Sequence, residues 1–149
     1  MSVPVVGFVG WRGMVGSVLL ERMQEEGDFA LIEPIFFSTS NVGGPAPMIQ
    51  GLTSSSNTSV LHDANDLKAL QQCDMIITCQ GGDYTKAIFA PLRAAGWQGH
   101  WIDAASTLRM NPDAVLVLDP VNRSVLDRAL LAGGKNWIGG NCTVSLMLM

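Results

Sequence analysis

The sequence predicts an α/β fold in which a doubly wound, mostly parallel sheet carries helices on both faces. Three observations predict it. Short apolar runs are typical of strands buried on both faces, amphipathic helical patterns alternate with those runs, and glycine-rich turns separate them. The chain has 149 residues, of which 48% are hydrophobic and 15% charged. This length and composition are typical of about one globular domain with a substantial core.

The first strand and the first helix flank a glycine-rich turn. The apolar run from Val5 to Val9 predicts a buried strand, and Gly10, Gly13 and Gly16 follow it at intervals of three. A helical pattern begins at once. Its predicted apolar face consists of Val15, Val18, Leu19, Arg22 and Met23.

The next elements follow from breaks in the pattern. Gly27-Asp28 ends the first helix, and residues 31–37 predict the second strand. Residues 43–59 are rich in glycine, proline and serine and predict a long loop, with room for a short strand. Asn65-Asp66 predicts the cap of a short helix.

The second half of the chain repeats the alternation. Residues 74–79 predict a strand, and Asp83 can cap a helix that Pro91 kinks or restarts and Gly96 ends. Residues 101–103, 114–118 and 136–138 predict three more strands. Asn122 is expected to cap a helix that stops at Gly133-Gly134. From Thr143 an apolar helix starts without a polar last turn, from which we expect the sequence to be a fragment.

The charge balance excludes several classes of partner. The net charge is −4 and the sequence pI is about 4.9, so neither nucleic acid nor an anionic membrane is expected as a partner. The N-terminus resembles no signal peptide, and no apolar run approaches the ~20 residues of a membrane span. Three cysteines without zinc-type spacing fit a reducing compartment. We therefore expect a cytoplasmic protein with no metal site.

The glycine turn predicts a Rossmann-like dinucleotide site. Strand, glycine turn and helix present backbone N–H groups to a phosphate, although GxxGxxG is also compatible with an ordinary turn. The second strand ends in Ser38, Thr39, Ser40 and Asn41, where an NAD site usually has an acidic residue. With Arg12 close by, neutral hydroxyls favour a 2′-phosphate and hence NADP.

Cys142 is the candidate nucleophile. It follows Gly-Gly-Asn and opens a helix, where the dipole lowers a thiol pKa, whereas Cys73 and Cys79 are expected to be structural. Arg109 follows a strand end, where it can bind a carboxylate or phosphate or remain a solvated loop residue. Gln80 could contact a cofactor by the same argument. Asp103 and Asp119 end strands as caps or orienting groups, and His62 and His100 are interpreted as structural.

Together these residues resemble the aspartate-β-semialdehyde dehydrogenases of Gram-negative bacteria. The resemblance runs from Val5 to Met149. Its most specific stretches are GWRGMVGSVL (10–19), FFSTSN (36–41), TCQGGDYT (78–85), GWQG with WIDAAS and LRM (96–110), LDPVN (118–122) and GGNCTVSLMLM (139–149).

The resemblance implies an NADP-dependent phosphorylating aldehyde dehydrogenase. Such enzymes reduce aspartyl-β-phosphate to aspartate semialdehyde, with release of phosphate, on the route to lysine, threonine and methionine. It implies that Cys142 forms the acyl thioester, that Arg109 and Asn141 bind the substrate and its phosphate, and that the complete enzyme is a homodimer. The implied cofactor contacts are Gly10, Arg12, Gly13, Met14, Val15, Thr39, Ser40 and Gln80.

The resemblance covers only the nucleotide-binding half of these enzymes. Residues 1–149 would be an NADP-binding domain that ends at the nucleophile helix, and the second domain, with its acid/base histidine, lies outside the sequence. We therefore expect the isolated chain to bind NADP without measurable turnover. Two alternatives remain open. One is a related reductase of N-acetylglutamyl phosphate or glyceraldehyde phosphate type, and the other is a non-catalytic NADP-binding module.

Overall fold

The computed structural model describes residues 3–52, 59–118 and 122–139. Strands in these residues are β1 (Val5–Val9), β2 (Glu33–Ser38), β3 (His62–Asp63), β4 (Met75–Thr78), β5 (His100–Asp103), β6 (Ala114–Val117) and β7 (Asn136–Gly139). The helices are α1 (Met14–Glu25), α2 (Leu67–Gln71), α3 (Gly82–Ala94) and α4 (Arg123–Leu131), with a short 3-10 helix at Asp28–Leu31.

The strands form one sheet in the order β3-β2-β1-β4-β5-β7-β6, and every neighbouring pair is parallel. The chain winds outward from β1 through β2 to β3 and then returns to β4 on the other side of β1. Helix α1 packs on one face of the sheet, α2 and α3 pack on the other, and α4 contacts the edge strand β6. The predicted doubly wound α/β fold is confirmed.

Each face of the sheet has its own apolar core. On the α1 face, Phe8 stacks on Phe36 with ring centroids 5.3 Å apart, and Leu19, Leu20 and Met23 of α1 pack against this cluster. On the opposite face, α2 and α3 cover Ile76, Trp101 and Ile138. Strand β1 and the centre of β2 are covered on both faces, so they are continuously apolar rather than alternating.

The packing face of α1 differs from the predicted one. Val15 and Val18 are exposed, and Arg22 pairs in solvent with Glu25 and Glu26. The reason is Gly16, because a Cβ atom there would overlap the carbonyl oxygen of Gly10 and the backbone of Trp11. This close approach fixes the helix rotation, so the inward residues are those three, four and seven positions after Gly16.

Several boundaries differ from the predicted ones by a few residues. The 3-10 helix takes up Leu31, so β2 starts at Glu33 and includes Ser38. In the described part of the long loop, Pro45 forms an isolated antiparallel bridge with Val60 before β3 begins. The predicted cap of α2 is confirmed, because the Asp66 carboxylate accepts from the N–H groups of Lys68 and Ala69 at 3.0 and 3.4 Å.

Helix α3 starts earlier than predicted and is continuous. Its N-cap residue is Gly81 rather than Asp83, which lies in the first turn. The helix does not restart at Pro91. Ile88 and Leu92, on either side of the proline, are both buried in the same core. Gly96 has a φ of +97°, the left-handed conformation expected of a residue that ends a helix.

Helix α4 begins after Asn122, but the Asn122 side chain does not cap it. Its amide instead accepts from Leu118 N at 2.9 Å and donates to the Leu116 carbonyl at 2.7 Å. The predicted capping bond is therefore wrong, since the side chain closes the end of β6 instead. The predicted stop is confirmed by Gly133, which has a φ of +83°.

Some predictions fall on residues that the structure does not describe. Asp119, proposed as a strand-end cap, and the apolar helix from Thr143 both lie outside the described ranges. Among the described helices, none is both long enough and apolar enough to cross a membrane.

The contact at Gly16 gives a stability prediction. Changing Gly16 to Ala should lower the free energy of unfolding by at least about 1 kcal/mol, because the added methyl group meets rigid backbone rather than a flexible side chain. Ser17→Ala, on the exposed neighbouring position, should change it by less than about 0.5 kcal/mol. Urea unfolding of both variants is the measurement, and equal midpoints would contradict the packing described here.

Candidate functional site

A cleft opens where the winding of the sheet reverses, between the carboxyl ends of β1 and β4. In open α/β sheets this is the position at which ligands bind. The cleft has a volume of about 310 Å³. Its walls come from the turn after β1, the end of β2 and the end of β4, namely Gly10, Trp11, Arg12, Gly13, Phe37, Ser38, Thr39, Ser40, Cys79 and Gln80.

The three glycines of the turn have different roles. Gly10 has a φ of +73°, and a Cβ atom there would overlap the backbone at Gln80. Gly16 allows α1 to lie against the turn, as described above. Gly13 is different, because its Cβ would meet only the Gly10 carbonyl, at 3.7 Å. Packing within the described residues does not require a glycine at position 13, so its open side is available to a ligand.

The amino terminus of α1 opens onto this cleft. Gly13 is the N-cap residue, and no side chain caps the helix. The N–H groups of the first helical turn have no partner within a helix, and together with the helix dipole they favour an anion. Met14 and Val15, two of the predicted cofactor contacts, contribute these N–H groups.

Trp11 holds Arg12 beside the end of β2. The Trp11 indole N–H donates to the Phe37 carbonyl at 3.1 Å, and its ring packs edge-on against Phe36 at 5.7 Å. The Arg12 guanidinium lies over the Trp11 ring, 4.8 Å from its centroid. Sequence reasoning missed Trp11, although an aromatic residue next to the only arginine of the turn was the available signal.

The hydroxyls at the end of β2 divide into two kinds. Ser38 is buried, and its oxygen accepts from the N–H groups of Ser40 and Asn41 at 3.2 and 2.9 Å. Ser38 therefore shapes this turn while it also lines the cleft. Thr39 and Ser40 are exposed at the edge of the cleft, on the same side as Arg12.

The end of β4 forms the other wall. The Gln80 N–H donates to the Thr78 hydroxyl at 3.2 Å, and the Gln80 side chain is exposed in the cleft. Gly81 follows with a φ of +107° and leads into the amino terminus of α3. The structure thus brings Gln80 to the same cleft as Arg12, Thr39 and Ser40, as the sequence predicted.

Arg109 connects the loop after β5 to the end of β7. Its Nε donates to the Gly139 carbonyl at 2.8 Å. Its two terminal nitrogens have no hydrogen-bond partner in the described part of the chain, so they are available to an anion. Gly139 lies three positions before Cys142. Both Cys142 and Asn141 lie outside the described residues, so their predicted roles remain predictions.

Asp103 orients the loop that carries Arg109. Its buried carboxylate accepts from the Thr85 hydroxyl at 2.6 Å, the Trp101 indole at 3.1 Å and the Ala105 N–H at 2.8 Å. The hydroxyl belongs to α3 and the N–H to the loop, so the carboxylate connects the two. This agrees with the predicted orienting role of Asp103.

The two described thiols are poor nucleophiles. Burial raises the pKa of Cys73 to about 12, with a smaller contribution from the charge of Asp74. Burial also raises the pKa of Cys79, and the charge of Asp103 adds to the effect. Since the thiolate is the reactive form, a raised pKa leaves less of it near neutral pH. The structural interpretation of both residues agrees with these environments.

The two histidines lie away from the cleft. His62 packs on Phe37 with ring centroids 5.8 Å apart. The His100 Nδ1 accepts from the Trp137 indole at 3.0 Å, and burial with nearby Lys135 and Arg93 lowers the pKa of His100. Neither lines the cleft, in agreement with their structural interpretation. In the described ranges no group of histidine, cysteine and acidic residues could hold a metal ion.

Comparison with known families matches residues 5–129 to the family described as semialdehyde dehydrogenase, NAD-binding domain. Among solved structures, an aspartate semialdehyde dehydrogenase from Francisella tularensis is 53% identical, with a TM-score of 0.88. The match covers 97% of this chain and 38% of that one. The chain therefore spans well under half the length of this relative.

Two more distant structures share the fold. An aspartate semialdehyde dehydrogenase II complexed with ASA from Vibrio cholerae is 22% identical, with a TM-score of 0.75, over 99% of this chain and 44% of that one. An aspartate semialdehyde dehydrogenase with NADP from Candida albicans is 21% identical, with a TM-score of 0.65, over 97% of this chain and 44% of that one.

The thiol environments predict an order of reactivity. Cys142 should alkylate faster than Cys73 and Cys79 between about pH 7 and about pH 9, because burial holds the other two in the thiol form. Limited alkylation read by peptide mass spectrometry is the measurement. The same experiment on urea-unfolded chain, where the three rates should converge, is the control. Faster labelling of Cys73 or Cys79 in the folded chain would contradict the prediction.

Proposed function

The chain belongs to the semialdehyde dehydrogenase family through its NAD-binding domain, and from that premise we propose that it is the cofactor-binding part of an NADP-dependent aspartate-semialdehyde dehydrogenase. The whole enzyme would reduce aspartyl-β-phosphate to aspartate semialdehyde and phosphate, within lysine, threonine and methionine biosynthesis. One observation carries the proposal. Two cationic side chains stand at the carboxyl edge of the sheet. Arg12 lies at the edge of the cleft, and Arg109 donates to Gly139, on the strand that leads to Cys142.

The cleft fits a dinucleotide by its own geometry. Gly13 leaves space for a close approach, and the uncapped start of α1 offers N–H donors to a pyrophosphate. The sheet reverses its winding at this point, as dinucleotide sites require. Gly10 and Gln80 would border the cofactor on the β4 side.

The 2′-phosphate of NADP would bind at the end of β2. Arg12 supplies a guanidinium, and Thr39 and Ser40 supply exposed hydroxyls, while the described wall of the cleft contains no carboxylate. An acidic side chain there would hold the ribose hydroxyl of NAD and repel a phosphate. The stack on Trp11 limits the freedom of Arg12, so less conformational entropy is lost when it binds.

In the proposed reaction the Cys142 thiolate attacks the acyl carbon of aspartyl-β-phosphate, the carbon–oxygen bond to phosphate breaks, and a thioester forms. Arg109, whose two terminal nitrogens have no partner among the described residues, would bind the leaving phosphate. NADP(H), when bound in the cleft, would supply hydride chemistry, and reduction of the thioester would break its carbon–sulfur bond and release the Cys142 thiolate with the aldehyde. The proton of the thiol must leave to a base that is neither His62 nor His100, since both lie away from the cleft.

A non-catalytic NADP-binding module would need the cleft but not Arg109. The hydrogen bond from Arg109 to Gly139 favours the enzyme, because it directs a cation toward the segment that contains the candidate nucleophile. We further propose that the whole enzyme is a cytoplasmic homodimer. An odd number of cysteines supports a reducing compartment, and the family resemblance supports the dimer.

Cofactor preference tests the nucleotide part of the proposal. Calorimetric titration should show tighter binding of NADP than of NAD. Arg12→Ala should weaken NADP binding by about 1.5–3 kcal/mol, the value of a lost charged hydrogen bond, and leave NAD nearly unchanged. Arg22→Ala, which removes an exposed arginine from α1 outside the cleft, is the matched control. Equal affinity for the two cofactors would contradict the assignment.

Phosphate binding separates the enzyme from the binding module. With NADP at saturation, inorganic phosphate should bind at a second site, detected by calorimetry, and Arg109→Ala should weaken that binding at least about tenfold, since a charged contact is lost. Arg128→Ala, an exposed change on α4, should have no effect. If phosphate binds equally well to the Arg109 variant, the assigned role of Arg109 is wrong even where NADP binding is intact.

A further inference from the structure

The proposed site for the 2′-phosphate consists of two parts of the chain that the strand ladder does not join. Arg12 lies in the turn after β1, and Thr39 and Ser40 follow β2. The last residues of β1 and β2 that lie in register are Phe8 and Phe36. The ladder therefore ends before it reaches either part, and the distance from the guanidinium to the hydroxyls depends on contacts outside it.

Trp11 makes such a contact between the turn and β2. Its indole N–H donates to the Phe37 carbonyl at 3.1 Å, so the turn after β1 is hydrogen-bonded to the end of β2. Its ring packs edge-on against Phe36, with centroids 5.7 Å apart and ring planes at 73°. The indole N–H is the one polar group of this side chain, and it is engaged. The hydrogen bond and the packing together fix the orientation of the ring.

The face of the Trp11 ring carries Arg12. The guanidinium carbon lies 4.8 Å from the ring centroid, within the range of a cation–π contact. In the described part of the chain the ion pairs are those of Arg22 and Arg123, so the Arg12 charge is available to a ligand. An exposed arginine loses side-chain entropy when it binds an anion. Because the ring already restrains Arg12, less of that entropy remains to be lost.

We propose that Trp11 determines the preference of the cleft for NADP over NAD. It is a positioning residue that acts through Arg12, and by joining the turn to β2 it also sets the distance from Arg12 to Thr39 and Ser40. This inference rests on the proposed function, because it requires the 2′-phosphate to bind beside Arg12. NAD has a hydroxyl in place of that phosphate, so its affinity depends little on where the guanidinium lies.

Two substitutions separate the two contacts of Trp11. Trp11→Leu keeps an apolar side chain against Phe36 but removes both the indole N–H and the ring face. Trp11→Phe keeps a ring for Arg12 and removes the N–H alone. In calorimetric titrations, the ratio of NADP to NAD affinity should fall at least about fivefold in the leucine variant and about twofold to threefold in the phenylalanine variant. The NAD affinity itself should change by less than about twofold in both.

A double variant distinguishes positioning of Arg12 from support of the fold. Once Arg12→Ala has removed the guanidinium, Trp11→Leu should no longer change the NADP affinity, since its effect acts through that group. Trp137→Phe is the matched control. The Trp137 indole donates to His100 at 3.0 Å, a bond of the same kind that lies outside the cleft, so its loss should leave both affinities unchanged.

Comparison of the two cofactors distinguishes failure of the Trp11 role from failure of the proposed function. If the unaltered chain prefers NADP and Trp11→Leu weakens both cofactors equally, the role of Trp11 is overturned while the cofactor assignment stands. A loss of NADP affinity that persists in the Arg12→Ala background would overturn that role as well. Equal affinity of the unaltered chain for the two cofactors would contradict the proposed function, and the role of Trp11 with it.

The phenylalanine variant keeps the test decisive if Trp11→Leu does not fold, which urea unfolding would show. Trp11→Phe retains an aromatic ring against Phe36, and it can be combined with Arg12→Ala in the same cycle. An unchanged ratio of NADP to NAD affinity in folded Trp11→Phe would then overturn the proposal.

Discussion

The backbone at Gly10 contacts two other elements, and the rest of the structure depends on this contact. A Cβ atom at Gly10 would overlap the end of β4, and one at Gly16 would overlap the Gly10 carbonyl. These two close approaches bring β1, α1 and β4 together without intervening side chains. The cleft is the space that remains at the carboxyl edge where the three meet, so its shape is set by backbone packing rather than by flexible side chains.

An acidic protein needs local charge to bind a phosphate, and the cleft supplies it with few residues. The net charge of −4 offers no general attraction to anions. The local positive charge comes from Arg12, whose guanidinium lies over the Trp11 ring. The Trp11 indole N–H donates to the Phe37 carbonyl of β2, which fixes the ring in place. Ser38 uses its hydroxyl to close the adjacent turn, which leaves Thr39 and Ser40 at the surface. Specificity for the cofactor would thus depend on residues that are positioned by their neighbours.

The second cation belongs to a separate network. Asp103 orients the loop after β5 by bonding Thr85 and Ala105, and Arg109 extends from this loop to the Gly139 carbonyl. These contacts run along the carboxyl edge from β5 to β7, next to the nucleotide cleft. A phosphate on Arg109 and a nucleotide beside Arg12 would therefore bind to different loops of one rigid sheet, which suits a reaction between two bound groups.

The sequence by itself determined the order of strands and helices, the glycine turn and the polar end of β2, because each depends on the periodicity and backbone preferences of a few consecutive residues. It also predicted that Arg12, Thr39, Ser40 and Gln80 contact one ligand, and the structure brings these four residues to one cleft. It could not determine which face of α1 is buried, since that rotation depends on the Gly16 contact with Gly10. It did not reveal that Trp11 bonds β2, that Ser38 shapes a turn or that Arg109 reaches Gly139, 30 positions away. Such contacts exist only once the crossovers have brought distant strand ends to one edge, and no local pattern encodes that distance.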